Sequence, residues 1–226
     1  MAVIQSGTSG TTLLTVDPTF AAGHVTIRPP EILGAYQMGL VSGAYAGAAA
    51  GSTAFSFRWA PATSTNLCMV RRVEVGFATV TAFTTAQAAT FSIQVARQWT
   101  ANDTGGTSAA FTQTNTAKLR TTMPTSGFAT GGQIMISNTG AITAGTRTLD
   151  TQAMGFVTGS STAIGTSLTP QAVFQQQPGD YPLIFAANEG FILNNVITLG
   201  AAGVLNLYVN VEWFELAATS GSPIAY

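Results

Sequence analysis

Hydrophobic and polar residues alternate with a period of two along much of the chain. The longest run is 205–213, where leucine, valine and tryptophan fill every second position and mainly polar residues stand between them. The pattern recurs at 54–59, 72–77 and 91–99. Successive side chains of a β-strand point to opposite faces, so alternation predicts strands with one buried face. We expect one core to contain Phe91, Ile93, Val95, Leu205, Leu207, Val209 and Val211, and the opposite faces to carry Ser92, Gln94, Asn206 and Asn210.

Clusters of Gly, Asn, Asp and Pro separate the predicted strands. Further strand candidates are 133–137, 146–152, 183–186 and 191–199, and the glycines and alanines of 200–203 predict a hairpin between the last two strands. Residues 31–43 fit a short helix or a strand, and 82–89 fit one or two helical turns. About eight to ten strands without a long amphipathic helix predict an all-β fold, an antiparallel β-sandwich of jelly-roll-like form.

The first thirty residues differ from the rest of the chain. Residues 6–12 are Ser, Gly and Thr, and Pro18, Pro29 and Pro30 hold the nearby backbone away from helix. We interpret residues 1–30 as an extended N-terminal arm and 31–226 as a single sandwich domain; an ordinary N-terminal strand and loop is the alternative. No signal-peptide pattern and no apolar run of bilayer-spanning length occurs, so we expect no membrane partner.

Charged residues are scarce. They make up 8% of the 226 residues and include one lysine, whereas an average soluble domain has about 25%. Protein interfaces are depleted in Lys, Glu and Asp, so the scarcity predicts a homo-oligomer; a neutral monomeric module is the alternative. The net charge is −1, and Arg71 and Arg72 are the only adjacent basic pair, which argues against direct binding of nucleic acid.

The groups that could carry out catalysis are few. His24 is the only histidine and lies in the predicted arm. Cys68 is the only cysteine and stands in an apolar run typical of a buried position. Glu212 and Glu215 are the closest acids, but a strand would place them on opposite faces. We therefore predict that the chain is not an enzyme and has no catalytic residue.

Binding residues are equally hard to identify. Asp103, Asp150 and Asp180 each stand near Gly or Thr, where turn formation explains them better than calcium binding. No Cys/His cluster and no phosphate-binding glycine motif occurs. The three tryptophans end alternating runs, which favours core or rim packing over a sugar-stacking platform. We predict no metal and no cofactor.

Several segments carry a resemblance to a known group of proteins. In chain order they are VDPTF (16–20), FRWAP (57–61), VRRV (70–73), ARQWT (96–100), GGT (105–107), AGTRTLD (144–150), NEGF (188–191) and VNVEW (209–213). Together they resemble uncharacterised structural proteins encoded by tailed bacteriophages and prophages, over nearly the whole chain.

The resemblance implies a virion component without transferred site residues. The expected protein is a capsid decoration or other head-surface protein, assembled in the host bacterial cytoplasm. Its partners would be copies of itself and the major capsid protein or other virion subunits. A tail or neck component, including a receptor- or carbohydrate-binding jelly roll, is the alternative; a glycan depolymerase is the enzymatic one.

Overall fold

The computed structural model describes residues 32–113, 115–177 and 180–217. The predicted arm, residues 1–30, lies outside them. The described residues form strands and a single 3₁₀ turn at Gly127–Ala129. The strands are β1 Ile32–Val41, β2 Tyr45–Ala46, β3 Thr53–Trp59, β4 Leu67–Thr81, β5 Gln87–Arg97, β6 Gly106–Ser108, β7 Gln133–Ser137, β8 Thr148–Leu149, β9 Gly155–Ser161, β10 Ser167–Gln175, β11 Leu183–Phe185, β12 Glu189–Asn195 and β13 Val204–Leu216.

The strands form two sheets that pack face to face. One sheet has the order β1-β13-β4-β10, with β2 beside β13 and β11 beside β4. The other has the order β6-β7-β3-β12-β5-β8, with β9 beside β5. Every ladder among the described strands is antiparallel. The predicted antiparallel β-sandwich is confirmed, while its jelly-roll-like form stays a prediction.

The core lies between the two sheets and follows the alternation. All seven apolar residues expected there are buried in one cluster. Gln94, Asn206 and Asn210 are half-buried on the outer faces. Ser92 shares the outer face with Gln94 but is buried, because Asn194 and Phe156 flank it on the two neighbouring strands.

The predicted hairpin at 200–203 is wrong. β12 and β13 belong to different sheets, so this segment carries the chain from one sheet to the other. The Leu199 amide donates to the Ala48 carbonyl at 2.9 Å along this crossing. The residues 87–89, which fitted a helical turn, belong to β5 instead, and 32–41 form a strand. Turn-forming residues reverse the chain but do not specify which sheet receives it.

Two strands that the alternation did not reveal, β9 and β10, lie next to each other at one side of the sandwich, at the edges of the two sheets. β9 pairs with β5 of one sheet and β10 with β4 of the other, and residues 162–166 join them. The strands approach closely at Gly155, where an added Cβ would lie 2.2 Å from the carbonyl oxygen of Val173. Only a residue without a side chain fits this corner.

Replacing Gly155 by Ala should therefore destabilise the fold. The Cβ meets backbone rather than a movable side chain, and such overpacking costs about 1–3 kcal/mol. Urea unfolding measures the loss. The control is Gly140→Ala, because no atom lies within 4 Å of that Cβ position. Equal stability of the two variants would contradict the close approach of β9 and β10.

Candidate functional site

Charged side chains of the described residues gather in two places. The first, which we call the loop-anchor network, lies where β3 and β5 end and β12 begins; it consists of Arg58, Arg97 and Arg147 with Asp103, Asp150 and Glu189. The second, the outer-face network, lies on the sheet of β4 and β13; it consists of Arg71, Arg72, Glu74 and Glu212. Each network contains equal numbers of positive and negative residues.

The centre of the loop-anchor network is a buried ion pair. Arg147 donates to Asp103 through Nη1 and to the hydroxyl of Thr53 through Nη2, the latter at 3.0 Å. Its guanidinium carbon lies 4.6 Å from the ring centroid of Trp99. Asp103 also accepts the Gly145 amide at 2.6 Å. The pair joins the loop after β5 to the loop before β8, and the attraction between the two charges opposes the cost of removing both from water.

Arg58 joins the same loops to the start of β12. Its Nε donates to the Trp99 carbonyl and its Nη2 to the side-chain oxygen of Asn188, both at 2.8 Å. Asn188 has a positive φ of 67°, a conformation that asparagine tolerates better than most residues. Burial lowers the pKa of Arg58 from its usual value, although Asp103 opposes the shift. The side chain therefore fixes loop positions.

Arg97 forms the solvent-exposed part of the network. It pairs with Asp150 and with Glu189, each at 3.1 Å. The hydrogen bonds that Arg97 donates to the Asp150 carboxylate are the main cause that raises the pKa of Arg97. Asp103 and Asp150 are thus partners of arginines, while Asp180 stabilises a turn by accepting the Gln177 amide at 2.9 Å.

A β-bulge creates the outer-face network. The pairing of β4 with β13 shifts between Glu212 and Trp213, which leaves Arg71 as an extra residue in β4. Glu212 can then contact two adjacent arginines, Arg71 at 2.8 Å and Arg72 at 3.6 Å. Strict alternation would have sent one of these arginines toward the core.

Glu215 faces the core from the other side of β13. Its carboxylate accepts the Ser126 hydroxyl at 2.6 Å, the Gly127 amide at 2.9 Å and the Trp213 indole N–H at 3.2 Å. Burial is the main cause that raises its pKa, against the effect of these hydrogen bonds. Glu212 and Glu215 therefore do not face a common cleft, in agreement with the sequence pattern.

Glu215 holds down a long irregular segment between β6 and β7. Ser126 caps the 3₁₀ turn of this segment, and Phe128 packs in the core. The Tyr36 hydroxyl donates to the Pro124 carbonyl at 3.0 Å, and the Leu119 amide donates to β1. Irregular segments of this length are often functional, but the contacts here attach it to the sandwich.

The single candidate groups that lie within the described residues, Cys68 and the three tryptophans, are all buried. Cys68 is fully buried, and burial, with a contribution from Glu215, raises the pKa of its thiol. His24 lies outside the described residues. Trp59, Trp99 and Trp213 are each 0% exposed. Trp59 and Trp213 belong to the core between the sheets, and Trp99 packs with Ala96 and Ile192 in a second, smaller cluster. Within the described ranges, no group of three or more His, Cys, Asp or Glu residues could hold a metal ion, and no helix is long and apolar enough to cross a membrane.

Sequence reasoning did not identify the loop-anchor network. Its residues come from four separate parts of the chain, so spacing gives no signal. The only signal lay in the segments 57–61, 96–100, 144–150 and 188–191, which also carry the resemblance and which meet here in space. Comparison of the chain with protein-family models, with curated proteins and with solved structures finds no match in any of the three.

The buried ion pair gives a stability prediction. Arg147→Met leaves the Asp103 carboxylate buried without its cation, which should lower the free energy of unfolding by about 3–5 kcal/mol. Adding Asp103→Leu should recover part of the loss, because both charges are then gone. The matched control is Arg97→Met in the exposed part, expected to lose less than about 1 kcal/mol. Denaturant unfolding measures the free energy of unfolding of each variant. If the loss in the double variant equals the sum of the losses in the two single variants, the two residues are not coupled and the prediction is wrong.

Glu215 gives a prediction about pH. A carboxyl whose folded pKa is raised contributes stability that is present below its unfolded pKa and is lost as pH rises through the folded pKa. Wild type should thus lose stability relative to Glu215→Gln as pH rises above 4.5, the usual pKa of a glutamate carboxyl. The urea midpoints of both proteins, measured at a series of pH values above 4.5, give the difference in stability. If wild type instead becomes more stable relative to Glu215→Gln as pH rises, the pKa of Glu215 is not raised in the folded protein.

Proposed function

We propose that the chain is a non-enzymatic structural subunit of a tailed-phage virion, and specifically a capsid decoration protein at the head surface. It would stabilise the shell by bridging subunits, with copies of itself and the major capsid protein as partners. The supporting observation is the grouping of charge. Outside the two networks, the accessible charged side chains of the described residues are Lys118, Arg120 and Asp180.

The grouping has a physical consequence for association. Charges inside each network neutralise one another, so most of the remaining described surface is uncharged. Net charge keeps proteins apart in solution, and its absence favours contact between them. Interfaces without Lys, Asp and Glu are stabilised by burial of apolar area and by hydrogen bonds. A subunit that must cover a shell through many repeated contacts fits this surface.

The contacts of the acids and the cysteine also support a structural role. Glu215 is engaged by Ser126 and Gly127, and Glu212 by two arginines on the opposite face. Cys68 is buried. For the alternative of a carbohydrate-binding tail component, the strongest stacking groups would be tryptophans, and all three are fully buried.

The test uses virus particles assembled without this chain. Purified full-length chain is added, and cryo-electron microscopy together with the temperature of shell disruption measures binding and stabilisation. We expect ordered density on the head and a higher disruption temperature. A chain that binds no particle and does not self-associate at any concentration would overturn the proposal.

Salt separates the physical causes of binding. Raising NaCl from about 0.1 M to about 1 M shortens the Debye length from about 10 Å to about 3 Å. Because few accessible charges are unpaired, binding to particles should change by less than about threefold over this range. Release of bound chain by moderate salt would leave assembly in place and contradict the explanation by uncharged surface.

A further inference from the structure

Sheet edges expose unpaired N–H and C=O groups, and most edges of this sandwich are protected. The edge of β1 is covered, because the Gln37 amide donates to the Ala117 carbonyl at 2.8 Å and the Leu119 amide to the Ala35 carbonyl at 3.1 Å. The edge of β10 contains Pro170, and its pairing shifts twice. β2, β6, β8 and β11 are two or three residues long. Short strands, proline and bulges are the usual means of preventing edge pairing.

β9 is the exception. Its seven residues pair with β5 in continuous register without a bulge. It contains no proline and no charged residue. Among the described residues, no strand pairs with its other side. β9 thus keeps the regular, uncharged edge that a further strand needs for pairing.

An apolar patch adjoins this edge on the outer face of the sheet. Phe156 is 62% exposed, and Met154 just before β9 is 47% exposed. Phe156 lies opposite Ser92, one strand further in. Val196, 39% exposed, follows β12, and its amide donates to the Thr90 carbonyl at 2.8 Å. Exposed apolar side chains collected beside an open edge mark an interaction surface.

We propose that β9 pairs antiparallel with β9 of a second copy around a two-fold axis. In such a contact, residue i of one copy faces residue j of the other and the reverse, so a charged residue on β9 would enter the contact twice, and β9 has none. The unpaired backbone groups of both edges form hydrogen bonds, and Phe156 of each copy adds apolar contact beside the ladder. The inference rests on the proposed function in one respect, that the subunit assembles.

The size of the contact sets its strength. The length of the contact follows from the strand, because seven residues at about 3.4 Å each give a ladder about 24 Å long. Its width follows from the sandwich, because two sheets about 10 Å apart, with their side chains included, are about 20 Å across. The buried area is about 500 Å² per copy, below the roughly 800 Å² of a standard interface. One such contact is weak alone. Repetition over a shell makes contacts of this strength sufficient.

Charge at the edge tests the pairing. Phe156→Lys and Thr158→Lys, made separately in the full-length chain, each place two like charges in the contact, one from each copy, and should weaken self-association at least tenfold in sedimentation equilibrium. The control is Thr107→Lys on β6, an exposed edge position outside the proposed contact. Thermal unfolding of each variant at low concentration checks that the monomer is folded.

Hydrogen exchange supplies a second readout that needs no variant. The β9 amides of wild type should become protected as concentration rises, while the β6 amides do not change. Self-association without protection of β9, and without effect of either lysine, would overturn this inference and leave the proposed function standing. Protection that arises only on particles would assign the edge to another protein and also overturn it. A monomer that binds no particle would remove the proposed function as well.

Discussion

Phe57 lies where the two sheets and the long irregular segment meet. Its ring contacts Phe191 of the neighbouring strand at a centroid distance of 5.0 Å, Trp213 of the facing sheet at 5.7 Å and Phe128 of the segment at 4.7 Å. Each aromatic pair contributes about 0.5–1.5 kcal/mol beyond burial of its area. Trp213 also donates to Glu215, so the packing of the sheets positions the carboxylate that holds the segment. The fold and its main loop therefore depend on the same contacts.

The scarcity of charge changes how the molecule can control association. A highly charged surface repels other copies in general, but a neutral one must rely on local geometry. β10 with Pro170 and the covered edge of β1 have such geometry, and β9 does not. Among the described strands, protection of the other edges leaves β9 as the edge that is suited to further strand pairing. A two-fold contact there closes on itself and does not grow into a fibre.

Strand formation could be predicted where buried and exposed positions alternate, as in β3, β5 and β13. The same pattern failed for β9 and β10, because glycines, serines and Pro170 interrupt their apolar residues and their buried face is small. The crossing at 200–203 failed for a different reason, since a turn does not encode the sheet that the next strand joins. The β-bulge at Arg71 adds one residue to β4, so strict alternation assigns the residues on one side of the bulge to the wrong face. The ion pairs depend on all of these tertiary features.

The segments that carry the phage resemblance contain most of the residues of the two networks. Arg58, Arg97 and Arg147 belong to three of them, and Glu189 and Glu212 to two others. In space these residues hold loops and bridge strands, and their charged groups contact one another or loop residues. Such residues define the loop architecture of the sandwich rather than a ligand site. The described part of this architecture presents to a neighbour a largely uncharged surface with one strand edge that no described strand pairs with, and assembly is the property in which the proposed phage role can be tested.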